Sequence, residues 1–294
     1  MPHAMNQPAA LCLLDDLGTL RFSGAEVEKF LQGQLSNDVS TLTAGTLLRA
    51  GVHNPQGRTL ALLGLVRADQ GDILALLPRE LLPAIATHLR RYVLRAKVTL
   101  SDDSAQYRVL GLAGAAAAGA LSGRRVGYGL AHESRALLIQ DAREPPPSVP
   151  LLSREQWRAL DIAAGLAQLY SATSGQFVAQ MLNLDCIDAI SFTKGCYTGQ
   201  EVIARAHYRG RIKRRLQRFV SRAALRLAAG DSGMLADGRS FRVVEATQHA
   251  DGACEFLAVA SLAGAAQEAD EAGQLPAGGG VPVSALPLPY ALPE

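Results

Sequence analysis

The run Phe192-Thr-Lys-Gly-Cys-Tyr-Thr-Gly-Gln-Glu201 constrains this chain more than any other stretch. Thr198-Gly-Gln-Glu201 has the spacing of a capping box, in which a hydroxyl accepts from a first-turn N–H and a glutamate three residues on reaches back. Tyr197 and Val202 stand at the two positions of a hydrophobic staple. The spacing predicts a helix beginning after Thr198, with Cys196 just outside its N-terminus and Lys194 nearby. A helix N-terminus carries partial positive charge, which lowers a thiol pKa and raises its reactivity. Gly195 and Gly199 allow the backbone to approach a ligand closely. A plainer role also fits, in which Cys196 is a small filler at a tight turn.

The flanking sequence reads as mixed α and β. Leu11–Leu14 and Leu20–Phe22 are strand-like and flank an Asp-Asp-Leu-Gly turn. Ser23-Gly-Ala-Glu26 is a second capping-box candidate, followed by Val27, Phe30, Leu31 and Leu35 at helical spacing, with Asn37-Asp38 ending the helix. Leu47–Val52, Leu60–Val66 and Ile73–Leu77 predict three strands separated by Gly-containing turns. A helix is expected over about Arg79–Arg91, then strands at Val98–Leu100 and Arg108–Leu112. Gly111–Gly123 is Gly/Ala-rich, and Glu144-Pro-Pro-Pro147 is a break. Ser153-Arg-Glu-Gln156 is a third capping box, opening a helix that ends near Gly165. From Leu216 the texture changes to short alternating runs, Phe219–Ser221, Phe241–Val244 and Phe256–Val259, as in a small barrel or sandwich. After Leu262 the chain is rich in Ala, Gly and Pro and reads as an extended tail.

Charge and cysteine usage narrow the class. The chain has 294 residues with net charge +2, yet Arg205 to Arg218 carries seven basic residues and no acidic one, leaving a body of −5. That run could contact an anionic partner, RNA phosphates among them, or be a solvated connector; His207 and Tyr208 lie within it. The longest apolar runs fall well short of the ~20 residues a spanning helix needs. The N-terminus has no basic region leading into an apolar segment. Cys12, Cys186, Cys196 and Cys254 form no Cys-x-x-Cys pair, so neither a disulfide framework nor a zinc knuckle is indicated, and the expected setting is the cytoplasm. His53 and His88 are isolated, and no stably bound metal is expected.

Lys194-Gly-Cys-Tyr-Thr-Gly-Gln-Glu201 resembles the signature of the YgfZ family, folate-binding proteins related to the glycine-cleavage T-protein, an aminomethyltransferase. Gly24–Asp38, Asn54-Pro-Gln-Gly-Arg58 and Ser174–Leu184 are similar to further family segments, in the right order. The resemblance implies an α+β chain folded as a three-lobed T-protein-like ring, with ferredoxin-like α+β lobes and a C-terminal β-barrel. In that arrangement 1–45 with 150–215 forms the lobe carrying the signature, 46–149 the second lobe, and 216–294 the barrel with its tail. It implies tetrahydrofolate or a derivative as cofactor. It also implies a role in assembling or repairing iron–sulfur clusters in client enzymes, including tRNA-modifying ones. Cys196 and Lys194 are then the residues the role depends on, and a shared iron–sulfur cluster ligated by Cys196 stays open. Trp157, Tyr170, Gln176, Tyr197, Gln200, Glu201 and Arg205 are the cofactor-binding candidates, with interlobe packing the alternative for Trp157 and loop support for Tyr170 and Gln176.

The chain departs from its relatives in three places. Where the T-protein has an acidic pair, it has Arg58-Thr-Leu-Ala61, which removes a group for proton transfer. Ile162-Ala-Ala-Gly165 carries Ala163 where related families often have a glutamate, and Leu17 stands where relatives can have an aromatic residue. Two other functions therefore stay open: a folate-dependent aminomethyl or one-carbon transferase, and a non-catalytic RNA- or protein-binding module using the basic run.

Overall fold

The computed structural model describes residues 10–114, 124–128, 135–145, 150–223, 225–262 and 282–293. The N-terminal half runs β1 (Ala10–Leu13), β2 (Leu17–Ser23), α1 (Val27–Gln34), β3 (Leu48–His53), β4 (Thr59–Arg67), β5 (Ile73–Pro78), α2 (Leu82–Arg90), β6 (Thr99–Asp102) and β7 (Tyr107–Ala113). It continues through β8 (Arg124–Tyr128), β9 (Arg135–Asp141), α3 (Arg154–Ala163) and α4 (Gln200–Arg209). Then come β10 (Arg214–Ser221), β11 (Ser232–Met234), β12 (Ser240–Gln248), β13 (Cys254–Ser261) and β14 (Ser284–Leu286). Parts of the Gly/Ala-rich segment, of the Pro-rich break and of the C-terminal tail lie outside the described residues. No described helix is long and apolar enough to cross a membrane.

The strands form three antiparallel sheets, ordered β3-β4-β5-β2-β6, β1-β7-β9-β8 and β11-β12-β13-β10-β14. The apolar runs of the sequence form β3, β4 and β5 within a residue or so of their expected ends. β5 is buried along its whole length because both its faces are covered. One face meets α1 and α2 in the main core, and the other, through Leu74 and Leu76, meets Val109 and Leu137 of the second sheet and Trp157 of α3. The two strands flanking the Asp-Asp turn part company there: β1 pairs with β7, whereas β2 pairs with β5 and β6. That turn bridges two sheets.

The three expected capping boxes have different outcomes. Ser153 and Gln156 make both reciprocal bonds of the box at the start of α3. Ser23 instead ends β2, Glu26 is the N-cap of α1 without a side-chain cap, and its carboxylate accepts from the Lys97 N–H at 2.8 Å. That helix ends at Gln34, three residues before Asn37. At α4 the N-cap is Gly199, not Thr198, with φ +83° and no side-chain cap. A Cβ on Gly199 would sit 2.6 Å from the Asn54 carbonyl, so the chain enters α4 through a conformation and a contact that suit glycine alone.

The C-terminal sheet packs Phe219, Phe241 and Phe256 with ring centroids 5.5–6.5 Å apart. Its pairing runs from β11 to β14 with no closing pair among the described residues, so the barrel expected from sequence is seen there as a five-stranded sheet. The described end of the tail is anchored. β14 pairs with β10, and the Tyr290 hydroxyl donates to the Gly165 carbonyl at 2.9 Å, tying the chain end to the end of α3.

Candidate functional site

The three sheets meet around a cavity of about 100 Å³, ample for several water-sized groups. Its wall takes Leu17 from β2, Leu62 and Gly64 from β4, Leu76 from β5, Leu137 from β9, Trp157 and Arg158 from α3, Tyr170, and Glu245 from β12. Apolar walls with a few polar groups are the usual make-up of a small-molecule site. The capping box of α3 sets the register that turns Trp157, Arg158 and Asp161 inward.

Trp157 is 4% exposed and stands between the first two sheets. Its ring lies against Gly111, where a Cβ would come within 2.6 Å, and the Arg135 guanidinium lies 5.1 Å from the ring centroid. Arg135 pairs with Asp161 at 2.7 Å. The indole is thus both a packing residue and part of the cavity wall.

The polar side of the cavity centres on Glu245. Its Oε1 accepts from the Tyr170 hydroxyl at 2.8 Å and forms an ion pair with Arg158 Nε at 3.2 Å, while its Oε2 is buried with no hydrogen-bond partner. Burial first, and then the Asp161 carboxylate, push the Glu245 pKa up to about 8 against the pull of Arg158. Burial likewise raises the Tyr170 pKa, so that phenol stays a donor. Asp16 lies 4.0 Å from Arg158 and also pairs with Arg154.

The signature lies apart from this cavity. Lys194 is 8% exposed, and its ammonium donates to the carbonyls of Gln32 at 2.7 Å, Leu35 at 2.7 Å and Asn37 at 2.9 Å. An ammonium has three protons, so these contacts use its full donor capacity. They cap the last carbonyls of α1, which has no basic residue in its own last turn. Burial lowers the Lys194 pKa to about 8, with Asp38 opposing. The Tyr197 ring is buried beneath the ammonium, its centroid 5.2 Å away. Cys196, between these two inward-facing residues, is exposed.

The start of α4 packs on the turn that includes Asn54 and Gly57: a Cβ on Gly57, at φ +72°, would meet Val202 at 2.8 Å. Gln200 turns back to accept from the Tyr197 N–H at 3.3 Å. Glu201 and Arg205 are both exposed on α4. Gln176 lies beside β4, where its carbonyl accepts from Arg58 at 2.7 Å. Of the nine site residues expected from sequence, Trp157 and Tyr170 line the cavity; Lys194, Cys196, Tyr197, Gln200, Glu201, Arg205 and Gln176 do not.

The basic run does not form one surface. Arg215 is 4% exposed and makes a two-pronged pair with Asp185, both contacts at 2.9 Å. Arg218 pairs with Glu255 at 2.6 Å. His207 stacks on Phe192 with centroids 3.8 Å apart, and Tyr208 stands exposed beside them. No group of three or more His, Cys, Asp or Glu residues fit to hold a metal ion occurs among the described residues.

With this geometry, solved structures supply a match. The crystal structure of the glycine cleavage system aminomethyltransferase T from Bartonella henselae is similar over 86% of this chain and 78% of that one, with a TM-score of 0.67 at 14% identity. The chain shares that fold. Heterotetrameric sarcosine oxidase from Corynebacterium sp. U-96, in complex with pyrrole 2-carboxylate, matches 46% of this chain and 76% of that one at 17% identity, with a TM-score of 0.29 that carries no argument. No protein-family model matches the chain.

Sequence reasoning passed over Glu245, Arg158 and Asp16. Glu245 carried a signal: it is the one charged residue within the run Val243-Val244-Glu245-Ala246, where strand alternation offered no reason for three successive buried side chains. The signal for His53 was weaker, since nothing local distinguishes an isolated histidine at a strand end.

Proposed function

We propose that the chain is a folate-binding factor of the YgfZ kind, acting in the assembly or repair of iron–sulfur clusters in client enzymes, with tRNA-modifying enzymes among the candidates. The observation that carries this reading is the cavity where the three sheets meet, walled by Trp157 and Tyr170 in an aminomethyltransferase-like fold. The residues present fit a flat, amino-bearing ring: apolar walls on several sides, and one buried carboxylate oxygen without a partner. Bound folate would supply one-carbon or redox chemistry. The chain's own residues enclose the ring, exclude water and hold charge at Glu245 and Arg158.

In this reading Cys196 is the reactive thiol. Its exposure outside the cavity suits reaction with a partner protein rather than with a ligand held between the sheets. Lys194 acts through position, holding the signature turn against the end of α1. Titration with tetrahydrofolate under reducing conditions tests the binding part. Quenching of Trp157, the sole tryptophan, is expected, and absence of binding at millimolar ligand overturns it. Complementation of a deletion strain tests the cluster role: full restoration of client-enzyme activity by Cys196→Ala rules out the thiol.

A further inference from the structure

β12 carries a bulge between Val243 and Glu245. Val243 faces Ala258 and Glu245 faces Leu257, so Val244 is the extra residue. Regular alternation would send neighbouring side chains to opposite faces. The bulge instead buries three in succession: Val243 in the phenylalanine core of the third sheet, Val244 in the main core, and Glu245 in the cavity wall. Bulges commonly re-aim a side chain in this way.

Once aimed inward, Glu245 is only half satisfied. Oε1 accepts from the Tyr170 hydroxyl and is ion-paired with Arg158 Nε, and Oε2 has no hydrogen-bond partner. A buried acceptor without a donor is costly, and such a group in a native fold calls for an explanation. A purely structural glutamate would be served as well by a glutamine, whose one oxygen could keep Tyr170 and Arg158. Only a carboxylate has a second acceptor to offer a ligand.

We propose that Oε2 of Glu245 is the acceptor by which the cavity selects a flat heterocycle bearing an amino or ring N–H donor, which on the folate reading above, where this inference rests, is the 2-amino-4-oxopyrimidine edge. The groups around it are Arg49 on β3, Asp16 in the β1–β2 turn, Arg154, Arg158 and Asp161 on α3, and Tyr170. Burial and the Asp161 carboxylate raise the Glu245 pKa to about 8, so near neutral pH part of the population is protonated. A ligand donor needs the carboxylate. Affinity therefore rises with pH up to about 8 and levels off above it.

Calorimetry with 5-formyltetrahydrofolate, a chemically stable reduced folate, tests this between pH 6 and 9. Wild type should bind more tightly as pH rises. Glu245→Gln should bind roughly 10- to 100-fold more weakly, as for loss of a hydrogen bond to a charged group, and with no pH dependence. An analogue with the 2-amino group replaced by methyl and N3 methylated, which removes both donors, should bind both proteins alike. Tyr170→Phe keeps the carboxylate and removes a bond that lowers its pKa, so its pH midpoint should move upward; this variant carries the test if Glu245→Gln does not fold. Equal, pH-independent binding by wild type and Glu245→Gln overturns the role of Glu245 and leaves folate binding standing. A wild type that binds no folate overturns both.

Discussion

The ammonium of Lys194 donates to the carbonyl of Leu35 at 2.7 Å across 159 residues of chain. With its bonds to Gln32 and Asn37 it ties the signature turn to the end of the first helix. Lys194→Met keeps much of the stem and leaves three carbonyls without this donor. A loss of about 2–4 kcal/mol is expected in urea unfolding. A loss under about 0.5 kcal/mol would show that the clamp is not structural.

Gly199→Ala places a Cβ at φ +83° and 2.6 Å from the Asn54 carbonyl. Left-handed strain and the clash together should cost at least about 2 kcal/mol. Gly195→Ala is the control, since nothing lies within 4 Å of a Cβ there. It should stay within about 0.5 kcal/mol of wild type, so the two melting temperatures separate backbone strain from a general sensitivity of the turn.

His53 is fully buried, both ring nitrogens lack partners, and burial drops its pKa to about 3. The folded chain keeps this imidazole neutral while the unfolded chain protonates it below the ordinary value of 6.5. Its contribution is complete above pH 6.5 and is lost as pH falls toward 3. At 1.36 kcal/mol per unit, the loss over that window is about 4–5 kcal/mol. His53→Phe should flatten this part of the stability–pH profile; an unchanged slope would place the acid sensitivity elsewhere.

Cys196 is exposed, whereas Cys12 and Cys254 are buried and Cys186 is half-buried. Burial pushes the thiols of Cys12 and Cys186 up to about 11. Iodoacetamide at pH 7.5 should therefore alkylate native protein first at Cys196, as read by peptide mass spectrometry. Cys196→Ala should leave the melting temperature unchanged. A first adduct on another cysteine, or a large destabilisation, would contradict the exposed position of this thiol.

Much of the local structure was legible because its causes are local. Apolar runs name β3, β4, β5, β10, β12 and β13, and Ser153 with Gln156 names the start of α3, since both partners of that box lie within one turn. The α4 box failed for a tertiary reason: the Asn54 carbonyl presses on Gly199 and selects a left-handed N-cap over Thr198. The basic run failed likewise as a single surface, because Asp185 and Glu255, remote in sequence, take up Arg215 and Arg218.

The sequence by itself determined the apolar periodicities, the first turn of α3, the glycines at tight turns and an exposed-thiol candidate beside a helix start. Tertiary structure alone decided which residues share a site. It sent β1 and β2 to different sheets, turned Lys194 toward α1 rather than into the cavity, and used one bulge to bring Glu245 between Tyr170 and Arg158. The reason is range. Backbone preference and periodicity act over a few residues, whereas a cavity is set by how three separately formed sheets pack, and that packing chooses the partner of each buried charge.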